Sequence, residues 1–133
     1  NDRYGHAAGD AALVAVAGRC LARLRAIDLC GRIGGEEFVV LLPETGAEGA
    51  ATTAERLCAD LAGTSIDTAA GPLHVTISIG VASHLPRTPQ PDEAADEETQ
   101  GAVQALLQRA DRALYEAKAG GRNCVRVAPP MLR

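Results

Sequence analysis

Aromatic side chains are nearly absent from this chain, whose 133 residues contain no tryptophan, one phenylalanine and two tyrosines. Proteins that bind single-stranded nucleic acids stack bases on aromatic rings, and this chain has almost none to offer. Its net charge of −4 gives no general attraction for polyanions, although a local basic pocket can still hold one nucleotide. We therefore expect no nucleic-acid partner, and a core built from Leu, Val, Ile and Ala.

Cysteine pairs and long apolar runs are also missing. The four cysteines are Cys20, Cys30, Cys58 and Cys124. They form no Cys-x-x-Cys pair, and no histidine stands at zinc-ligand spacing from them. We interpret them as small core residues of a protein in a reducing compartment. Because no apolar run is long enough to span a bilayer and no signal peptide is recognisable, we expect a cytoplasmic location without membrane contact from this segment.

The most informative stretch is Gly34-Gly35-Glu36-Glu37, which stands between two apolar, β-prone segments. Adjacent glycines tolerate positive φ and suit a tight hairpin turn. A carboxylate at such a turn can hold a hard cation, and glycine lets a phosphate approach the backbone closely. Neighbouring side chains of a strand point to opposite faces, so if Glu36 faces a cleft, Glu37 braces the backbone or meets solvent. A hairpin with nothing more than a charged tip would show the same four residues.

Apolar residues at helical spacing predict three helices. The first begins with Asp10 as its N-cap and ends near Ala26, the second has Thr45 as its N-cap, and the third ends at Gly120-Gly121. The predicted buried faces are Leu13, Ala17, Cys20, Leu21 and Leu24 in the first, Ala50, Ala54, Leu57, Cys58 and Leu61 in the second, and Val103, Leu106, Leu107, Ala110, Leu114 and Ala117 in the third.

Strands are predicted over residues 29–33, 38–42, 75–81 and 123–127. The second is apolar without alternation, which indicates burial on both faces, whereas the third alternates apolar with hydroxyl side chains. Residues 62–71 are predicted as a loop, and the proline-rich, acidic residues 83–100 as an exposed insertion. The interleaved elements predict one α/β or α+β domain over residues 1–128, followed by a tail at 129–133.

The chain resembles the GGDEF domain of diguanylate cyclases in four blocks that follow the family's order and spacing. These are Asn1-Asp2 with Tyr4-Gly5-His6 and Gly9-Asp10, then Arg32 to Phe38, then Val75 to Val81, and lastly Ala110 to Tyr115 with Lys118, Gly121, Arg122 and Asn123. The resemblance implies a palm-like fold, in which helices flank a central mixed sheet and a hairpin carries Gly-Gly-Glu-Glu-Phe. It also implies a bacterial signalling enzyme that condenses two GTP into cyclic di-GMP and pyrophosphate as a homodimer, with Mg²⁺ or Mn²⁺.

The resemblance carries roles to individual residues. Glu36 matches the metal ligand and candidate base, and Glu37 is also part of the motif, beside Gly34 and Gly35. Asn1 and Asp10 match the positions that read guanine, and a carboxylate accepts from guanine N1–H and the 2-amino group, which adenine does not offer. Lys118 and Arg122 match triphosphate contacts. Without the resemblance, Asp10 would be interpreted as a helix cap, and the two cations as compensation for the helix dipole.

A second site is implied by Arg25 and Asp28, whose Arg-x-x-Asp spacing resembles the family's inhibitory product site, with Arg56 as its third member. Arginine pairs with phosphate bidentately and stacks on guanine, and Asp28 can accept guanine donors. The alternative is a local Arg–Asp ion pair at a helix end, which contributes little to stability.

The chain also departs from the family pattern, in which a strand before Asn1 carries a further metal-binding aspartate. We expect that strand and a regulatory domain to lie upstream in a longer protein. Two functions stay open, an active cyclase and a catalytically silent cyclic di-GMP receptor that uses Arg25, Asp28 and Arg56. An adenine-specific cyclase on a related fold is disfavoured by Asp10.

Overall fold

The computed structural model describes residues 5–68, 71–84 and 94–129. Over these ranges the elements are, in order, α1 (Gly5–Arg23), β1 (Leu29–Gly34), β2 (Glu37–Leu41), α2 (Ala47–Ala62), β3 (Ser65–Thr68), β4 (Gly71–His74), β5 (Ile79–Val81), α3 (Ala94–Ala119) and β6 (Val125–Val127). The mixed α/β class is confirmed. Asn1, residues 85–93 of the predicted insertion and residues 130–133 of the predicted tail lie outside the described residues.

The described strands pair as three two-stranded sheets. β1–β2 and β3–β4 are antiparallel hairpins, and in the first of them Leu29 lies opposite Leu41 and Arg32 opposite Phe38. β5 and β6 run parallel. Because a parallel pair needs a crossover, the connection between β5 and β6 carries α3, which packs against both strands.

The core lies where α1 and α2 face each other. Its buried cluster is Val16, Cys20, Leu57 and Leu61, and the half-buried side chains packed around it are Cys30, Phe38, Val75, Ile77 and Ile79. All four cysteines are free thiols, and two of them, Cys20 and Cys58, are buried. The interpretation of these two as core residues is confirmed.

Both predicted N-caps are wrong. α1 begins at Gly5, so Asp10 is its sixth residue, because the small residues before Asp10 continue the helix instead of ending it. α2 is preceded by Gly46, which makes no side-chain capping bond. The hydroxyl of Thr45 is instead hydrogen-bonded to Arg25 and to the Pro43 carbonyl, so a contact distant in sequence overrides the local capping preference.

The buried faces of the helices agree with the sequence in part. In α2, Ala54, Leu57, Cys58 and Leu61 are buried as predicted. From Gly9 onward in α1 the buried residues are Gly9, Ala12, Val16 and Cys20, while Leu21 is exposed, so the packed face is rotated from the predicted one. α3 begins at Ala94, inside the predicted insertion; Ala113 and Ala117 are buried, and Val103 and Leu107 are exposed. No helix in the described ranges has the length and apolarity needed to cross a membrane.

The strands show three further differences. Residues 62–71, predicted as a loop, contribute to the β3–β4 hairpin. Of the predicted strand 75–81, only β5 pairs with another described strand, although Val75 and Ile77 do face the core. β2 is not buried on both faces: Phe38 is half-buried and Leu41 is exposed, because the hairpin reaches the core cluster on one side, through Cys30 and Phe38.

Gly80 in β5 allows strand and helix to approach each other more closely than side chains permit. A Cβ atom built on Gly80 would overlap the Ala110 carbonyl oxygen and the Leu114 amide nitrogen. Both contacts are with helix backbone, so no side-chain rotation can relieve them. Gly80 therefore sets the distance between β5 and α3.

We expect Gly80→Ala to lower the free energy of unfolding by about 3 kcal/mol or more, since α3 must move to admit the methyl group. Gly18→Ala is the matched control, because a Cβ there meets nothing within 4 Å and alanine favours the helix. Urea denaturation followed by circular dichroism compares the two. Equal stability of both variants would contradict the close approach.

Candidate functional site

The β1–β2 turn fixes where the acidic pair lies. Gly34 and Gly35 have φ of 152° and 49°, conformations that other residues rarely adopt. Gly34 pairs with Glu37 after an irregularity in the ladder, and Arg32 Nε donates to the Gly35 carbonyl at 2.8 Å. The turn is thus a defined backbone structure, and both glutamates are exposed at its tip. The predicted hairpin is confirmed.

Glu37 connects this tip to the end of α3. Its Oε2 atom lies 4.0 Å from Lys118 Nζ, and the two side chains are 47% and 40% exposed. An exposed pair at this distance contributes little to stability. The pair does show that an acidic residue of the hairpin and a cation of the last helix lie on one surface.

The end of α3 is a closed glycine cap. Arg122 N–H donates to the Ala117 carbonyl and Gly121 N–H to the Lys118 carbonyl, with Gly121 at φ 118°, which is the Schellman arrangement. Arg122 and Asn123 follow with φ of 63° and 48°. Non-glycine residues in this region are uncommon and are enriched at ligand clamps. The predicted helix end at Gly120-Gly121 is confirmed.

The thiols of Cys58 and Cys124 make hydrogen bonds near this cap. Cys124 Sγ donates to the Ala117 carbonyl at 3.3 Å, and Cys58 Sγ lies 3.5 Å from both the Ile77 carbonyl and Asn123 Oδ1. Burial raises the pKa of the Cys58 thiol, so it stays protonated and can donate to one of these oxygens at a time. The loop that carries Arg122 is therefore held against α2.

The proposal that Asn1 and Asp10 bind the guanine base stays a prediction. Asp10 is exposed on α1, and Asn1 lies outside the described residues. The structure brings together Glu37 and Lys118, and Arg122 follows on the same helix cap. It shows no hydrogen bond or ion pair that would join Asp10 to Lys118 or Arg122 within the described ranges.

Arg25 is the centre of the densest polar cluster in the described part of the chain. Its Nε and Nη2 atoms donate to the two carboxylate oxygens of Asp28, at 3.3 and 3.0 Å. Nη2 also donates to the Pro43 carbonyl at 2.8 Å and to Thr45 Oγ1 at 2.7 Å. The Asp28 carboxylate additionally accepts from the Arg25 backbone N–H at 2.8 Å. Sequence reasoning found Arg25 and Asp28 but missed Pro43 and Thr45, which no spacing rule connects to Arg25.

Asp28 is held ionised by this cluster. Hydrogen bonding from the Arg25 side chain lowers the pKa of the Asp28 carboxyl, and the same bond raises the pKa of Arg25. The Asp28 side chain is only 3% exposed, whereas that of Arg25 is 53% exposed. The cluster therefore presents a cation, and not its carboxylate, to solvent.

Arg56 takes no part in the hydrogen bonds described for this cluster and is found in a neighbouring groove. It lines a shallow groove of about 220 Å³ between α1 and α2, together with Ala22, Arg23 and Thr53. Arg23 Nη2 in turn lies 3.5 Å from Asp60 Oδ1. Among the described residues, no hydrogen bond or ion pair joins Arg56 to Asp28, so the three members of the predicted second site do not form one contact network here.

The described residues contain no cluster of three or more His, Cys, Asp or Glu side chains that could hold a metal ion alone. Mg²⁺ at nucleotide sites commonly takes one or two carboxylates and completes its shell with phosphate oxygens and water. The exposed Glu36 and Glu37 fit this limited role at the hairpin tip.

Comparison with known proteins identifies the family. The family model described as "Diguanylate cyclase, GGDEF domain" matches residues 1–124. The chain is 42% identical over 127 residues to the response regulator PleD of Caulobacter vibrioides, covering 94% of this chain and 25% of that protein. It is 41% identical over 128 residues to diguanylate cyclase DgcP of Pseudomonas aeruginosa, covering 96% of this chain and 17% of that protein. The chain thus spans a quarter or less of these two relatives.

Solved structures agree with this assignment. The active GGEEF domain of a diguanylate cyclase from Vibrio cholerae superposes with a TM-score of 0.78 at 28% identity, covering 98% of this chain and 75% of that one. The GGDEF domain of DgcB from Caulobacter crescentus, in complex with c-di-GMP, gives a TM-score of 0.76 at 30% identity, with coverages of 96% and 67%. From its sequence and its fold alike, the chain belongs to the GGDEF domain family of diguanylate cyclases.

Proposed function

We propose that this chain is a diguanylate cyclase domain that condenses two GTP molecules into cyclic di-GMP and two pyrophosphates. The observation that carries the proposal is the contact between Glu37 and Lys118. It joins the acidic hairpin tip to the cationic helix end, and these are the two kinds of charge that a metal-bound triphosphate requires.

The described geometry supports a division of roles. The exposed backbone of Gly34 and Gly35 lets a phosphate approach the turn closely. Lys118 and Arg122 contact the triphosphate, since they follow one another around the α3 cap. Asp10, together with Asn1, selects guanine. Asp10 is exposed on α1 and so is available to a base.

In the reaction, Glu36 takes the proton of one nucleotide's 3′-hydroxyl while that oxygen attacks the α-phosphorus of the other. The bond from the α-phosphorus to the bridging oxygen breaks, and pyrophosphate leaves with that electron pair. A second, symmetric attack closes the ring. Mg²⁺ or Mn²⁺ held at Glu36 would neutralise charge on the phosphates when bound. Because each domain supplies one GTP, the active unit is a homodimer. An upstream regulatory domain controls how the two domains approach each other.

A feedback function is favoured by the Arg25–Asp28 cluster, which presents an oriented guanidinium to solvent. We propose that it binds the product cyclic di-GMP, with Arg56 as a further contact. The second candidate function, a silent receptor, would use this site alone. It is disfavoured because the chain retains the complete Gly-Gly-Glu-Glu-Phe turn.

Incubation of the full-length protein with GTP and Mg²⁺ should yield cyclic di-GMP by liquid chromatography. Glu36→Gln should lower kcat by about 100-fold or more, because it removes the general base. Glu48→Gln, at an exposed glutamate of α2, is the control and should retain activity. A dimeric preparation that is stripped of bound nucleotide and forms no product would favour the receptor.

Lys118→Met should raise KM for GTP by about tenfold or more, with a smaller effect on kcat, since it removes one charge-assisted phosphate contact. Arg112→Gln, which removes an exposed cation of the same helix, should leave KM within twofold. Steady-state kinetics at saturating metal measure both variants. An unchanged KM in Lys118→Met would exclude Lys118 from the triphosphate site.

Arg25→Ala should weaken cyclic di-GMP binding by about tenfold or more in calorimetry, because a bidentate phosphate partner is lost. Arg112→Ala serves as the control for loss of a positive charge. Thermal unfolding of both variants separates a lost ligand contact from a lost fold. Wild-type affinity in a folded Arg25→Ala protein would remove Arg25 from the product site.

A further inference from the structure

The guanidinium group of Arg25 has most of its hydrogen-bonding capacity in use. Of its five N–H groups, the Nε one and one on Nη2 point to the Asp28 carboxylate. The second N–H of Nη2 is left for the Pro43 carbonyl and Thr45 Oγ1, at 2.8 and 2.7 Å. No described residue accepts from Nη1. Arg25 therefore presents one open nitrogen and one occupied nitrogen at its outer edge.

A phosphate that binds arginine bidentately uses two N–H groups along one edge of the guanidinium plane. The edge formed by Nε and Nη2 is filled by Asp28. The edge formed by Nη1 and Nη2 is half filled, because Thr45 and Pro43 hold the remaining Nη2 hydrogen. A phosphate can contact Nη1 without disturbance, but a second bond requires the segment between β2 and α2 to give up Nη2.

Thr45 is well suited to hold this hydrogen. Its hydroxyl accepts from Nη2 and donates to the Pro43 carbonyl at 3.1 Å, so both oxygens are tied into one small network. The side chain of Thr45 is attached to the turn that starts α2 and makes no capping bond to that helix. Its hydroxyl thus serves Arg25 and not the helix.

We propose that the Thr45 hydroxyl, beside the Pro43 carbonyl, competes with the phosphate of cyclic di-GMP for Arg25 and thereby lowers the affinity of the product site. This inference rests on the proposed feedback function. Thr45 does not belong to the Arg-x-x-Asp spacing and acts through Arg25. Product binding exchanges an internal partner of the guanidinium for an external one, so the affinity is lower than that of an Arg25 with a free outer edge.

The test compares Thr45→Val, which replaces the hydroxyl by a methyl group, with Thr45→Ser, which keeps it. Calorimetry with cyclic di-GMP on the full-length protein should show a Kd three- to tenfold lower for Thr45→Val, as expected for the loss of one competing hydrogen bond. Thr45→Ser should stay within twofold of wild type. Thr52→Val is the control, since the Thr52 hydroxyl bonds only to the Glu48 carbonyl of its own helix.

Two further measurements separate competition from a general structural effect. In an Arg25→Ala background, Thr45→Val should no longer change the Kd, because the competitor then has no target. The concentration of cyclic di-GMP that halves the cyclase activity should fall in Thr45→Val by the same factor as the Kd, while KM for GTP stays unchanged.

An unchanged or higher Kd in Thr45→Val would overturn the inference, and so would equal tightening by Thr45→Ser. Should Thr45→Val unfold, Thr45→Ala removes the same hydroxyl without the second methyl group and must show the same tightening. A wild-type protein that binds no cyclic di-GMP would refute the feedback site itself, and the competition with it.

Discussion

The close approach of β5 to α3 at Gly80 is the constraint on which the candidate active site depends. With no side chain at that position, the strand lies directly against the backbone of Ala110 and Leu114. The C-terminal turn of α3 is then fixed relative to β6, whose partner is β5. Lys118 lies on that turn and reaches the hairpin through Glu37. A strand–helix distance thus decides whether two oppositely charged residues from distant parts of the chain can share one surface.

The β1–β2 hairpin lies between the two proposed sites. Its tip carries Glu36 and Glu37, and its open end is the Leu29–Leu41 pair. Arg25 and Asp28 precede β1, while Pro43 and Thr45 follow β2, so the Arg25 cluster ties together the two chain segments that leave the hairpin. The two proposed sites therefore lie at opposite ends of one hairpin.

A structural feature could be predicted from the sequence where its cause lies in one residue or its near neighbours in the chain. The Gly34-Gly35 turn and the Gly120-Gly121 helix end were predictable because positive φ is a requirement of single residues. The failure of Thr45 to cap α2 was not predictable, because its hydroxyl accepts a hydrogen bond from the guanidinium of Arg25, which is 20 residues away. Asp10 failed as a cap because the residues before it extend the helix.

Contacts of the site residues that depend on distant parts of the chain could not be predicted either. The pairing of Lys118 with a hairpin glutamate depends on how α3 is seated, which no spacing within the helix specifies. The place of Arg56 follows from the route of α2, which brings it beside Arg23 in the groove with α1. Alternation in residues 75–78 correctly indicated which side chains face the core, yet backbone pairing needs a neighbouring strand as well as a suitable pattern.

The electrostatics of the two sites differ in a way that matches their proposed ligands. Near the hairpin tip, Glu37 and Lys118 are both exposed and lie 4.0 Å apart, so the proposed metal-bound triphosphate can displace this weak pair at small cost. At Arg25 the carboxylate is covered and the cation is oriented by several short hydrogen bonds. A preorganised cation suits the proposed product, and each internal partner that it must release would lower the affinity. A loosely paired site suits a substrate that must enter, react and leave on every turnover.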